Sequence, residues 1–153
     1  QKNEIILRSI SVTEELDDNK PKILIVDDSM SIRKLLCELV EDAGYKALVA
    51  SNGVEAIDIM RKSSPDVVLS DMEMPKMTGL ELTSNIRADK EFGHLPIIMI
   101  TSRTSKKHRK QAKKAGVSEY LTKPYTEDEL LDLIHSLCEK NRLAENSSLS
   151  VKS

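Results

Sequence analysis

The 153-residue chain is long enough for one domain with a buried core and too short for two ordinary ones. Hydrophobic residues make up 39% and charged residues 31%, and the formal net charge is only -2, so no global field selects nucleic acid or an anionic membrane as a direct partner. There is no apolar run of about 18 residues to span a membrane and no charged-then-apolar leader, and Cys37 and Cys138 lack C-x-x-C spacing, all of which point to a cytoplasmic location with reduced thiols.

The chain begins at Gln1 rather than Met, which points to processing or to a segment of a longer protein. Residues 1–20 read as an N-terminal extension or linker. Ile5, Leu7, Ile10 and Val12 alternate weakly, as in an added strand or the last strand of an upstream domain, and an acidic, polar piece follows from Glu14 to Asn19. From Lys22 the pattern is regular. Ile23-Leu24-Ile25-Val26 is the continuous apolar run of a strand buried on both faces, and it ends in Asp27-Asp28. Ile32, Leu35, Leu36, Leu39, Val40 and Ala43 follow with helical spacing, and Gly44 closes that helix.

The unit then repeats, with strands predicted over Lys46 to Ala50, Asp66 to Ser70 and Ile97 to Thr101, and a short one over Glu119 to Leu121. Helices are predicted over Val54 to Met60, Gly79 to Ala88, Ser105 to Ala115 and Glu127 to about Lys140, the last with Leu130, Leu133, Ile134 and Leu137 on one face. Five strands alternating with five helices predict an α/β fold: a doubly wound, five-stranded parallel sheet with right-handed crossovers. The domain is placed at residues 21–140, and the Ser- and Asn-rich residues 141–153 are expected to add little to the core.

Four of the strand ends carry chemistry. Asp27 and Asp28, Asp71, Thr101 and Lys123 follow strands one, three, four and five, so all five residues lie on the carboxyl rim, where open α/β sheets place their ligands. Three crowded carboxylates repel each other and suit a hard divalent cation such as Mg2+ or Mn2+. With such a cation in place, Asp71 can act as a nucleophile towards phosphorus, because carboxylates form acyl-phosphates. A transferring phosphoryl group then needs a cation and a hydroxyl on its oxygens, which Lys123 and Thr101 offer. Each position alone also has a structural reading: Asp28 or Ser29 as a helix N-cap, Thr101 as an ordinary strand end, Lys123 as a solvated lysine, Asp71 as a loop cap. Their sorting onto successive strand ends is what those readings leave unexplained.

From Lys22 to about Lys140 the chain resembles the CheY-like, flavodoxin-like receiver domains of two-component phosphorelay signalling. The resemblance rests on Asp27-Asp28 after the first strand, Asp71 in D-x-x-M-P-x-M-x-G, Thr101-Ser102 after the fourth strand and Lys123-Pro124 after the fifth. It implies that Asp71 accepts a phosphoryl group from the phosphohistidine of a histidine kinase or histidine phosphotransfer domain. It also implies that Asp28, Asp71 and the main-chain carbonyl of Glu73 ligate Mg2+, with Asp27 acting through water, and that the Lys123-Pro124 peptide is cis. Thr101 and Tyr120 match the family's switch pair, which implies a downstream protein docking on the fourth helix, fifth strand and fifth helix. Tyr120 also has the plain reading of a half-buried strand tyrosine.

Glu73 and Arg103 lie beside the site in the family pattern, and their opposite charges are expected to pair across its mouth and modulate the phosphoryl lifetime. Arg103, Lys106, Lys107, Arg109, Lys110, Lys113 and Lys114 form either a solvated helix face or a docking surface for an acidic partner. Met72, Met74 and Met77 read as packing residues. The wording from Met99 to Tyr125 resembles the C-terminal receiver of hybrid chemotaxis-type histidine kinases, including CheA-like kinases tied to type IV pili, with a stand-alone regulator as the alternative. An aspartyl-phosphate phosphatase would want a second aspartate two residues past its nucleophile, where Asp71 has Glu73 and Asp27 has Ser29.

Overall fold

The computed structural model describes residues 19–152. The alternating segment from Ile5 to Val12 lies outside the described residues. The strands are β1 (Lys22–Val26), β2 (Lys46–Ala50), β3 (Val67–Asp71), β4 (Ile97–Thr101) and β5 (Glu119–Thr122). The helices are α1 (Met30–Asp42), α2 (Gly53–Ser63), α3 (Gly79–Ala88), α4 (Lys106–Ala115) and α5 (Glu127–Lys152). All strand pairs are parallel, in the order β2-β1-β3-β4-β5, which is the doubly wound α/β architecture expected from the alternation.

The strands read as unbroken apolar runs because both sheet faces are covered. Ile23, Ile25, Val67, Leu69, Ile98 and Ile100 turn to one face and pack with Leu36 and Val40 of α1 and Leu130, Ile134 and Leu137 of α5. Leu24, Val26, Val68 and Ile97 turn to the other and pack with Ala56 and Met60 of α2 and Leu82 and Ile86 of α3. Successive residues of one strand thus feed two cores, as the two-residue side-chain period requires. Each buried Leu or Ile contributes about 1.5 to 3 kcal/mol by leaving water.

Helix starts follow side-chain capping. Ser29, Asn52, Thr78 and Ser105 precede α1 to α4, and each accepts a hydrogen bond from the backbone N–H three residues on. Ser29, not Asp28, therefore caps α1. Gly116 ends α4 at φ 106, a left-handed conformation that suits glycine.

The last helix differs from its expected end. It continues from about Lys140 to Lys152, because no glycine or proline follows Pro124, and Arg142, Leu143, Ala144 and Glu145 all favour helix. Among the residues whose side chains are described, the buried core members that α5 supplies are Leu130, Ile134 and Leu137, and Leu143 is exposed. β3 also runs one residue further than the pattern suggested, so Asp71 is its last residue rather than the first of the loop.

Candidate functional site: an acidic rim at the strand ends

Parallel pairing levels the strand ends. Val26 pairs with Ser70, Asp71 with Ile100, and Thr101 with Thr122, so Asp27, Asp71, Thr101 and Lys123 leave the sheet at nearly one height. The sheet order places the site beside the switch point. From β1 the chain crosses outward to β2 and then back past β1 to β3, and the acidic pair and Asp71 sit at the ends of adjacent β1 and β3.

Asp27 is buried, and its Oδ1 accepts the Ser29 N–H at 2.9 Å while its main-chain carbonyl accepts from Arg33 Nη1 at 2.7 Å. With Ser29 as the cap, Asp28 is left exposed at the rim. Asp27, Asp28 and Asp71 can each present one carboxylate oxygen so that all three lie within 4.8 Å of one another. Burial pushes the Asp71 carboxyl above the usual carboxylate range, and the negative Asp27 adds to this, against the opposing pull of Lys123 and of the Glu73 N–H. The Asp27 carboxyl is raised as well, first by burial, with the Ser29 N–H and Lys123 acting the other way. This is an anionic cluster that ionises at a cost. Its donor set, three hard carboxylate oxygens and neighbouring carbonyls, fits Mg2+ or Mn2+.

The other predicted residues arrive around it. Thr101 is buried, and its Oγ1 accepts the Arg103 N–H at 3.1 Å, which leaves the hydroxyl hydrogen for another acceptor. Lys123 is exposed, follows β5, and precedes the one cis peptide among the described residues, Lys123-Pro124. The Arg103 guanidinium hydrogen-bonds and ion-pairs with Glu73, joining the β3–α3 and β4–α4 loops. Tyr120 is half-buried, its hydroxyl donates to the Arg103 carbonyl at 2.6 Å, and Arg109 lies 4.9 Å from its ring centroid. Met72 and Met74 are buried and Met77 is partly so, in line with packing roles.

A response regulator receiver domain model matches residues 23–135. The chain belongs to that family. It is 38% identical to the chemotaxis protein CheY-3 of Vibrio cholerae over 78% of this chain and 92% of that protein. It is 35% identical to the sensor histidine kinase CheAY of Helicobacter pylori over 73% of this chain and 14% of that one. Among solved structures, CheY4 of Vibrio cholerae superposes with a TM-score of 0.73 at 36% identity, covering 77% of this chain and 98% of that chain.

The protein is thus a receiver domain of two-component signalling. Receivers generally bind Mg2+ through such an acidic pocket, and they work with histidine kinases and downstream targets. Among the described residues, no helix is long and apolar enough to cross a membrane.

Several contributors to the receiver's rim were not assigned from sequence. Gly79 opens α3 directly behind Asp71: its N–H donates to the Met72 carbonyl at 2.9 Å, and a Cβ there would stand 2.3 Å from the Asp71 carbonyl oxygen. The Gly in the motif was visible, but the backbone it must clear was not. Ser70 Oγ donates to the Asp71 carbonyl at 2.9 Å. Tyr125 lines, with Ile32, Leu36, Leu69 and Ile100, an apolar cavity of about 130 Å3 that opens beside Asp27, Asp71 and Lys123. Only spatial proximity marks Tyr125, whereas Ser70 is the chain neighbour of Asp71 and its contact rests on a rotamer.

Proposed function

We propose that Asp71 is the phosphoacceptor of this receiver and takes its phosphoryl group from the phosphohistidine of a histidine kinase or histidine phosphotransfer domain. The observation that carries the reading is the meeting of Asp27, Asp28 and Asp71 with Lys123 and Thr101 on one rim. An Asp71 carboxylate oxygen attacks phosphorus, a P–O bond forms, and the P–N bond breaks with its electron pair going to the imidazole, which then takes a proton. Lys123 pairs with one phosphoryl oxygen and the Thr101 hydroxyl donates to another. Asp28, Asp71 and the Glu73 carbonyl would hold Mg2+ directly and Asp27 through water. Bound there, the ion supplies charge neutralisation for the phosphoryl oxygens.

Thr101 and Tyr120 form the switch pair in this reading. Capture of Thr101 by the new phosphoryl group draws on the same β4–α4 loop whose Arg103 carbonyl holds the Tyr120 hydroxyl. The α4-β5-α5 face is thereby offered to a downstream protein in one of two arrangements. Residues 21–140 form the signalling unit, flanked by an N-terminal extension and a polar C-terminal stretch. Action is cytoplasmic, and neither nucleic acid nor membrane is bound directly.

For the parent protein we favour a hybrid chemotaxis-type histidine kinase, supported by the likeness to CheAY; the likeness to CheY-3 supports the alternative of a stand-alone regulator. An immunoblot of source cells separates them: the hybrid reading requires a band far above 17.1 kDa, and a band at that mass overturns it. The phosphoacceptor itself is tested by intact mass after incubation with Mg2+ and a small acyl-phosphate. One added phosphate is expected on the unmutated chain and none on Asp71→Asn. Equal uptake by both would remove Asp71 from the role.

A further inference from the structure

Two of the six methionines meet solvent. Met60, Met72, Met74 and Met99 are buried, whereas Met30 is 74% exposed at the start of α1 and Met77 is half-buried in the β3–α3 loop. Met77 is held from two sides. On its inner side it lies against Gly53, the buried first residue of α2, where a Cβ would stand 2.6 Å from Met77 Sδ and 2.8 Å from its Cγ. Glycine leaves the room that the thioether fills. On its outer side the exposed Asn85 of α3 donates its amide N–H to the sulfur at 3.5 Å. A thioether is a weak acceptor. The Asn85 donor is better matched to an oxygen carried by that sulfur than to the sulfur itself.

Met77 also closes a strained turn. Lys76 stands at φ 68, in the left-handed region, and the Met77 N–H donates to the Pro75 carbonyl at 2.7 Å, which makes a three-residue γ-turn of the positive-φ kind. Such a conformation persists only where its surroundings hold it. The contacts of Met77 with Gly53 and Asn85 supply that hold. Two residues on, the Gly79 N–H donates to the Met72 carbonyl, and the glycine passes the Asp71 carbonyl with no room for a Cβ. Whatever frees Met77 therefore reaches the backbone at the end of β3.

We infer that Met77 is a redox modification site, oxidised to the sulfoxide by a hydroperoxide, and that this oxidation loosens the β3–α3 loop beside Asp71. With hydrogen peroxide, a sulfur lone pair attacks one peroxide oxygen, an S–O bond forms and the O–O bond breaks. The departing hydroxide takes the proton of the transferred oxygen and leaves as water; sulfur loses two electrons and the peroxide gains two. The sulfoxide is polar, and the side of Met77 against Gly53 has no room for the added oxygen. The oxygen turns to Asn85, the side chain leaves Gly53, and the turn at Lys76 relaxes. Methionine sulfoxide reductases return the thioether, so the change is reversible. The effect on phosphate uptake rests on the proposed function; the loosening of the loop does not.

The test treats the full chain with hydrogen peroxide. Peptide mass reads the oxidised positions, hydrogen exchange reads the opening of residues 72–79, and phosphate uptake is followed with Mg2+ and a small acyl-phosphate. Oxygen is expected on Met30 and Met77 and not on the four buried methionines. Exchange over residues 72–79 should rise and phosphate uptake should slow by about tenfold, and a methionine sulfoxide reductase should restore both. Met30→Leu should respond to peroxide as the unmutated chain does, and Met77→Leu, which nearly conserves volume, should not respond. Oxidation of Met30 without Met77 overturns the inference. So does unchanged exchange or undiminished uptake once Met77 carries oxygen, or an equal response from Met77→Leu. A chain whose loop opens on oxidation but which takes up no phosphate in either state keeps the modification site and loses the phosphoacceptor.

Discussion

The helices on the two sides of the site are anchored very differently. α1 and α5 share a cluster of twelve buried residues with the sheet, and α2 and α3 share another of twelve, whereas α4 adds only Ala112 to a cluster it forms with Met72 and Met99. The acids of the site grow from the first kind of ground, at the ends of β1 and β3 in the middle of the sheet. Thr101, Arg103 and Tyr120 belong to the second, where hydrogen bonds and one ion pair replace apolar packing. Regions that rearrange are drawn from the less stable parts of a fold, and this division puts the proposed phosphoacceptor and the proposed switch pair on opposite sides of one rim.

The comparison breaks most directly by hollowing the well-packed side. Ile134→Ala removes a fully buried side chain between α5 and the sheet and is expected to cost about 2 to 5 kcal/mol, read as a lower urea midpoint at unchanged slope. Gly79→Ala attacks the same ground from the site itself. The added methyl meets the Asp71 carbonyl, the Met99 sulfur and the Met72 backbone, so a loss of about 1 to 3 kcal/mol is expected, together with slower phosphate uptake as β3's last residue is displaced.

Asp71→Asn works in the opposite direction. The folded Asp71 carboxyl binds its proton more tightly than in the unfolded chain, because burial and Asp27 raise it. Its contribution to stability is therefore present below the ordinary carboxylate pKa near 4 and is lost as the pH rises through the folded value. Removing the charge should stabilise the chain at pH 7 by on the order of 1 kcal/mol, with the gain vanishing at about pH 3. Thermal melts in chelator across that range check it; a gain that is the same at all pH values would assign the effect to something other than the carboxylate.

On the thin side, Ala112→Gly should cost about 1 kcal/mol of helix propensity. Hydrogen exchange should locate it: amides of α4 lose protection while those of α1 keep theirs, if the two regions open independently. Equal loss in both would mean that α4 is as tightly coupled to the core as its neighbours.

The sequence made the sheet legible because its strands are continuous apolar runs with chemistry at their ends, and a parallel sheet turns order along the chain into position on a rim. The acid cluster, Thr101 and Lys123 follow from that conversion, whereas the Glu73–Arg103 pair was expected from the resemblance to the family pattern. The end of α5 was not legible from composition: Ser and Asn suggested a tail, but no glycine or proline follows Pro124 to break the helix. Tyr125 and Ser70 escaped for another reason. Tyr125 reaches the site from the turn after β5, an approach that no spacing in the chain encodes, and the Ser70 hydroxyl serves the neighbouring Asp71 carbonyl only through the rotamer it adopts.

The smallest change is aimed at the seam between the two regions. Arg103 touches it in three ways: its N–H donates to Thr101, its carbonyl accepts from Tyr120, and its guanidinium holds Glu73. Arg103→Ala keeps the first two, which are backbone groups, and removes only the third, so the variant isolates the ion pair at the site's mouth. Both side chains are exposed, and the melting curve should not move. If the pair obstructs the water that attacks the Asp71 phosphoryl group, the loss of phosphate should quicken by roughly threefold as water gains access. Glu73→Ala should give the same increase, and the double variant no more than either alone, because the two residues act as one unit. An unchanged rate in Arg103→Ala would leave the pair as a loop fastening with no hold on the phosphoryl lifetime.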